Sequence, residues 1–213
     1  MLILKRNTYR IGISIALLVL MLVTSATIIA IADSSKNKSL YKIKDNNSSS
    51  SQPIALSKQY DNRDSHYRIN YPADWIYDDS GKGAVVFSGK KNTLAYYSTV
   101  NIETVLSKKS GGEYSNVDDL IVDVKRQALQ ESPKTTFVGS GPFTSNLPSG
   151  VKLNGKYVTF IYSYKGQIIE QWQIVVPRID GQVFYTWAYT APLEQYGHDL
   201  QIAKAMLSTW LIY

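Results

Sequence analysis

Asp61, Asp64 and His66 place three oxygen or nitrogen donors within six residues, a set that could hold a cation. The two carboxylates suit a hard ion such as calcium, and the imidazole suits zinc or manganese better. The plainer reading, a solvated loop leading into a strand, is preferred. Asp118, Asp119 and Asp123 form a second acidic group at the head of an amphipathic pattern, where a helix dipole favours anions. That explanation is preferred to a metal site. Gly150-Val-Lys-Leu-Asn-Gly155-Lys156 matches the first seven positions of a phosphate-binding P-loop. Tyr157 then stands where a magnesium-binding Ser or Thr is needed, and a strand pattern follows instead of a helix, so the match is spurious. Gly-x-Ser-x-Gly and His-Glu-x-x-His are both absent. With only two histidines, His66 and His198, a triad or a multi-histidine metal centre has almost nothing to draw on. There is no cysteine, which removes disulfides, thiolate catalysis, Cys-ligated zinc and a lipobox. No catalytic residue and no cofactor are expected. A bound metal, if there is one, is expected at Asp61, Asp64 and His66.

The elements that position these residues start from a hairpin. Asp180-Gly181 lies between β-branched and aromatic runs, the strongest short-range hairpin signal. A type I′ turn there pairs Val176 with Tyr185, Ile174 with Trp187 and Trp172 with Tyr189. All three pairs fall on one side of the ribbon, because side chains alternate with period two. A face that apolar needs a cover, and the helical pattern over 199–210 supplies one. Leu200, Ala203, Leu207 and Trp210 share a stripe with Met206, while Gln201, Lys204 and Ser208 face water. His198 and Asp199 stand at the expected start of that helix, where the dipole favours Asp199. The run 157–164 is nearly all β-branched or aromatic, and Lys165-Gly166 turns it into the hairpin, giving an antiparallel meander over about 156–190.

Upstream, Tyr67, Ile69 and Tyr71 alternate with Arg68 and Asn70 in a half-buried strand that Pro72 stops. Pro72-Ala-Asp-Trp75 is a turn that carries Trp75 into the core. Residues 84–87 and 94–105 read as strands and 137–144 as a shorter one, with 108–113 and 145–150 as loops. Ser115-Asn-Val-Asp118 has capping-box spacing. Behind it Val117, Leu120, Ile121, Val124 and Ala128 form an apolar stripe that Pro133 limits. Helices before and after the meander make an α+β architecture, an antiparallel sheet packed by helices.

Composition bounds the rest. Hydrophobic residues make up 44% of the chain, which suits one domain with a real core. Residues 1–57 carry seven Lys/Arg against two Asp, and 58–213 carry sixteen against fifteen Asp/Glu. The globular part is almost neutral and lacks the cationic excess that phosphate neutralisation brings, so no nucleic acid is expected. Lys5, Arg6 and Arg10 precede an uncharged run over 11–32. As a helix its twenty-two residues span roughly 33 Å, enough for a hydrocarbon core of about 30 Å. The flanking charges place the N-terminus in the cytoplasm and the remainder outside. Ala30-Ile31-Ala32 also fits a signal-peptide cleavage site, but the apolar run exceeds the usual h-region, which favours an uncleaved anchor. Either reading exports the domain. The expected organisation is an anchor or signal segment over 1–32, a Ser/Asn-rich flexible stalk over 33–57 and a globular domain over 58–213.

Two stretches carry a family likeness. Tyr67-Arg-Ile-Asn-Tyr-Pro-Ala-Asp-Trp75 resembles the aromatic-x-Ile-x-Tyr-Pro-x-x-Trp opening of PsbP-type domains. Tyr185-Thr-Trp-Ala-Tyr-Thr-Ala-Pro-Leu-Glu-Gln-Tyr196, followed by the amphipathic pattern to Trp210, is similar to the family's close. The resemblance covers roughly 58–213, its middle carried by the order of elements. It implies an α-β-α sandwich around a central antiparallel sheet, a fold shared with the Mog-type Ran-binding proteins. PsbP proteins are extrinsic subunits on the lumenal side of photosystem II that help retain calcium and chloride. The motifs quoted are structural, so no binding residue is carried over. The chain departs from the family by an anchor and stalk in place of a transit peptide or lipobox.

The expectation is a membrane-anchored, extracytoplasmic PsbP-like domain acting as a non-catalytic binding or accessory module. It is expected to be a monomer that meets a protein partner at the membrane surface. One alternative is a photosystem II extrinsic or assembly-type protein with calcium handling, which thylakoid co-purification would favour. The other is a metal-dependent hydrolase, which a pocket gathering acidic residues and a histidine would favour.

Overall fold

The computed structural model describes residues 54–79, 83–146 and 150–213. The expected anchor over 11–32 and most of the stalk lie outside the described residues. No helix among the described residues is long and apolar enough to cross a membrane.

In chain order the elements are β1 (Lys58–Asn62), β2 (Tyr67–Tyr71), β3 (Trp75–Asp79), β4 (Ala84–Gly89), β5 (Thr99–Leu106) and α1 (Val117–Glu131). Then come β6 (Thr136–Asn146), β7 (Lys152–Tyr164), β8 (Gln167–Pro177), β9 (Val183–Pro192), α2 (Leu193–Thr209) and β10 (Leu211–Ile212). Seven strands form the main sheet in the order β3-β4-β5-β9-β8-β7-β6, every neighbouring pair antiparallel. A second sheet, β1-β2-β10, is also antiparallel.

The two helices lie on opposite faces of the main sheet. Alternate residues of β8 and β9 divide between two cores, as the two-residue period requires. Ile174, Val176, Tyr185, Trp187 and Tyr189 pack with Ala203, Met206 and Trp210 at α2. Val175 and Phe184 pack with Leu120, Ile121, Val124 and Ala128 of α1. All ten residues of β9 are buried, because both of its faces are covered. The architecture is α+β, with a helix on each side of an antiparallel sheet.

The hairpin register is the expected one: Val176 faces Tyr185, Ile174 faces Trp187 and Trp172 faces Tyr189. Its turn is not type I′, which requires positive φ at both central residues. Gly181 has φ +67°, but Asp180 is not among the positive-φ residues. The Arg178 Nε donates to both Asp180 carboxylate oxygens at 2.9 and 3.0 Å, and the Gln182 N–H donates to the same carboxylate at 2.9 Å. These contacts start the reversal at Arg178, whose carbonyl accepts from the Gly181 N–H at 2.8 Å. The Lys165-Gly166 turn does have both φ values positive, at +47° and +83°.

Three other expectations are corrected. Residues Leu94–Tyr97 form a 3-10 turn rather than the start of a strand. Gly89 permits that fold-back, since a Cβ there would stand 2.6 Å from the Ala95 methyl. The covering helix begins at Leu193, six residues before Asp199. Pro192 at its N-cap, with φ −53°, starts it directly from the end of β9. Asp199 therefore sits inside the helix and is buried. Finally, the residues before β2 form the strand β1, so Asp61 lies in a strand rather than a loop.

Candidate binding groove beside the C-terminal helix

Asp61 and Asp64 line an open depression of about 440 Å³ with Tyr60, Arg63 and Asp79. His66 is not part of that lining. Asp61 is already engaged, accepting from the Tyr213 hydroxyl at 2.5 Å and lying 3.6 Å from Arg63 Nε. The His66 Nδ1 lies 3.2 Å from the Asp64 carbonyl oxygen, and its backbone is left-handed at φ +57°. The structure does not bring the three side chains together. Among the described residues no three acidic, histidine or cysteine side chains are grouped to hold a metal.

Asp118, Asp119 and Asp123 also serve separate local tasks. The Asn116 side chain caps α1 by accepting the Asp119 N–H at 3.0 Å, and the Asp119 carboxylate reaches back to the Ser115 N–H at 3.0 Å. Asp118 pairs with Lys156 of β7, which also places the false P-loop lysine on a strand. Asp123 is buried against Tyr114, Arg126 and Gln127.

Ser98, Asp199 and His198 do meet. The Ser98 hydroxyl donates to Asp199 Oδ2 at 2.5 Å, and His198 Nδ1 lies 2.7 Å from Asp199 Oδ1. A nucleophilic triad needs the imidazole between serine and carboxylate. Here the carboxylate lies between, and Ser98 is completely buried. This cluster ties α2 to the chain entering β5 and gives no reachable nucleophile.

A groove with aromatic walls lies on the α2 face of the sheet. The helix and the small sheet cover this face of β9, β5 and part of β8, and leave Trp172 of β8 and Tyr157 of β7 half-buried at the edge of that cover. Register sets the floor: Trp172 of β8 faces Thr159 of β7, which faces Gly139 of β6. In the next row Ile174 faces Tyr157, which faces Gly141. The Tyr157 ring lies over both glycines, 3.9 Å from where a Gly139 Cβ would be and 3.0 Å from a Gly141 Cβ. Tyr196, Leu200 and Lys204 of α2 form the opposite wall, and Glu170 closes one end. The volume is about 440 Å³.

The aromatic walls are held rigidly. Trp172 meets the fully buried Trp187 edge-on, with ring centres 5.3 Å apart. Tyr196 lies 4.9 Å from the fully buried Tyr189, whose hydroxyl donates to the Tyr196 carbonyl at 2.9 Å. Burial raises the Glu170 carboxyl above its ordinary range, and no side-chain partner offsets it among the described residues. Burial, then the Glu170 charge, raises the Tyr196 hydroxyl as well.

Reading from sequence placed Trp172 in the hairpin core and gave Tyr157, Glu170 and Tyr196 no binding role. The available signal was Gly139-x-Gly141, whose spacing of two puts both glycines on one face of a strand that a larger side chain can cross.

No protein-family model matches the chain, and no curated protein does. Solved structures do. The cyanobacterial PsbP (CyanoP) of Synechocystis sp. PCC 6803 is similar over 73% of this chain and 92% of its own, with 11% identity and a TM-score of 0.52. LpqN of Mycobacterium tuberculosis, involved in cell envelope biogenesis, is similar over 68% and 82%, with 13% identity and a TM-score of 0.50. The Saccharomyces cerevisiae Ran-binding protein Mog1p gives 8% identity and a TM-score of 0.48. The described residues adopt the PsbP-type fold.

Proposed function

We propose that the domain is displayed on the outer face of a membrane and works there as a non-catalytic binding or accessory module. The groove carries this reading: it is open, and its aromatic walls rest on the buried rings of Trp187 and Tyr189. Display outside rests on the uncharged run over 11–32 with cationic residues before it. The likeness to LpqN, itself involved in cell envelope biogenesis, is in keeping with such a setting.

A pull-down from native membranes tests it, using the full-length chain and its Trp172→Ala variant side by side. The expected result is a set of proteins retained by the wild type and lost by a variant that still melts cooperatively. Identical retention by both would remove the groove from the binding function.

A further inference from the structure

We infer that the groove receives the organic ammonium group of a small zwitterionic ligand, an inference that rests on the groove being a binding site. Tyr157, Trp172 and Tyr196 present half-buried rings to one cavity, and Glu170 stands at its end. Aromatic faces carry negative potential, and a desolvated cation over them is held by attraction to the ring quadrupole. A carboxylate among those rings adds a full charge of the same sign. The Glu170 carboxylate has no hydrogen bond or ion pair among the described residues, and burial alone raises it. An uncharged apolar occupant would shield that carboxylate further from water without a counter-charge, which is costly. A cationic head removes the penalty and uses the rings.

Size and the second charge narrow the class. A volume of about 440 Å³ belongs to a small molecule and falls in the ordinary range for ligand pockets. Lys204 is the cation on the groove wall, and it is exposed at the rim. It faces whatever part of the ligand projects outward, so an anionic end is favoured there. A compact ammonium inside and a carboxylate outside describe a betaine-like zwitterion.

Equilibrium dialysis of the full-length chain in a nonionic detergent distinguishes the possibilities, with glycine betaine, choline and dimethylbutanol, the uncharged isostere of choline. Saturable binding of betaine and choline is expected, with dimethylbutanol weaker by about threefold or more, the difference a cation–π contact makes at a partly exposed site. Glu170→Gln and Trp172→Leu should each weaken choline by a similar factor, while Trp172→Phe, which keeps a ring, should retain most of it. Lys204→Met should weaken betaine and should not weaken choline, which has no anionic end for the lysine to hold. Equal affinity for choline and dimethylbutanol, an unchanged Glu170→Gln, or no saturable binding by the wild type would each overturn the assignment. If Glu170→Gln misfolds, the Leu and Phe variants of Trp172 decide between a ring and a merely apolar wall. Loss of protein partners by Trp172→Ala with no ammonium binding would overturn this inference alone. Ammonium binding with partners unaffected would overturn the role of the groove in partner binding and leave its ligand standing.

Discussion

Asp123 shows how far a residue's task can depart from its place in a pattern. It is 9% exposed and accepts from Tyr114 Oη at 2.6 Å, Gln127 Nε2 at 2.6 Å and the Arg126 guanidinium. Burial alone would raise its carboxyl; the three donors outweigh burial and hold it below the ordinary value. A carboxyl depressed in the folded state contributes stability above its unfolded range, and that contribution is lost as pH falls through the folded value. Tyr114→Phe should therefore lower stability near neutral pH by about 1–2 kcal/mol, with the deficit shrinking as the solution is acidified below the ordinary carboxylate range. Urea unfolding across that pH range checks this, and a deficit independent of pH would show that the hydroxyl does not support the charge. The sequence assigns Asp118, Asp119 and Asp123 alike to the helix dipole. The first two do lie in the first turn of α1. Asp123 differs because Tyr114, in the preceding loop, folds back onto it, which no helical periodicity encodes. Glu170 is hidden for the same reason: a single carboxylate in a strand acquires meaning only when α2 stands beside it.

At the scale of elements, what was legible followed local rules. The Asp-Gly pair and the alternation around it fix which residues of β8 and β9 face one another, because a register slip would turn every apolar side chain outward. The amphipathic stripes locate both helices. Their ends are less legible, since a proline stopping a strand and a proline starting a helix look the same until the strand's partners are known. Pro192 does both at once. The docking of α2 can be tested through Trp210, which is 5% exposed and meets the Tyr185 ring edge-on at 6.2 Å. Trp210→Ala should cost roughly 3–5 kcal/mol in denaturant unfolding, the range for a buried aromatic truncation. A loss below about 1 kcal/mol would mean that the contact does not seal the hairpin face.

The whole molecule joins distant parts of the chain at the small sheet, the part least visible in the sequence, since a two-residue strand such as β10 has no periodicity to read. If the run over 11–32 remains as an anchor, as proposed, the protein should resist alkaline extraction from membranes and keep its original N-terminus. A mature chain beginning at Asp33 would overturn that. The pairing of β10 with β2 has a consequence in time. Asp61 and Tyr213, which meet across this sheet, are 152 residues apart. At synthesis rates of about 5–20 residues per second, that separation amounts to roughly 8–30 s. Throughout that interval β2 has left the ribosome with one edge still unpaired, open to strands of neighbouring nascent chains. Arg68, exposed and at the register position that Leu211 later occupies, puts a charge on that edge. Such a charge discourages foreign pairing. It guards a seam that can close only after α2 has been made.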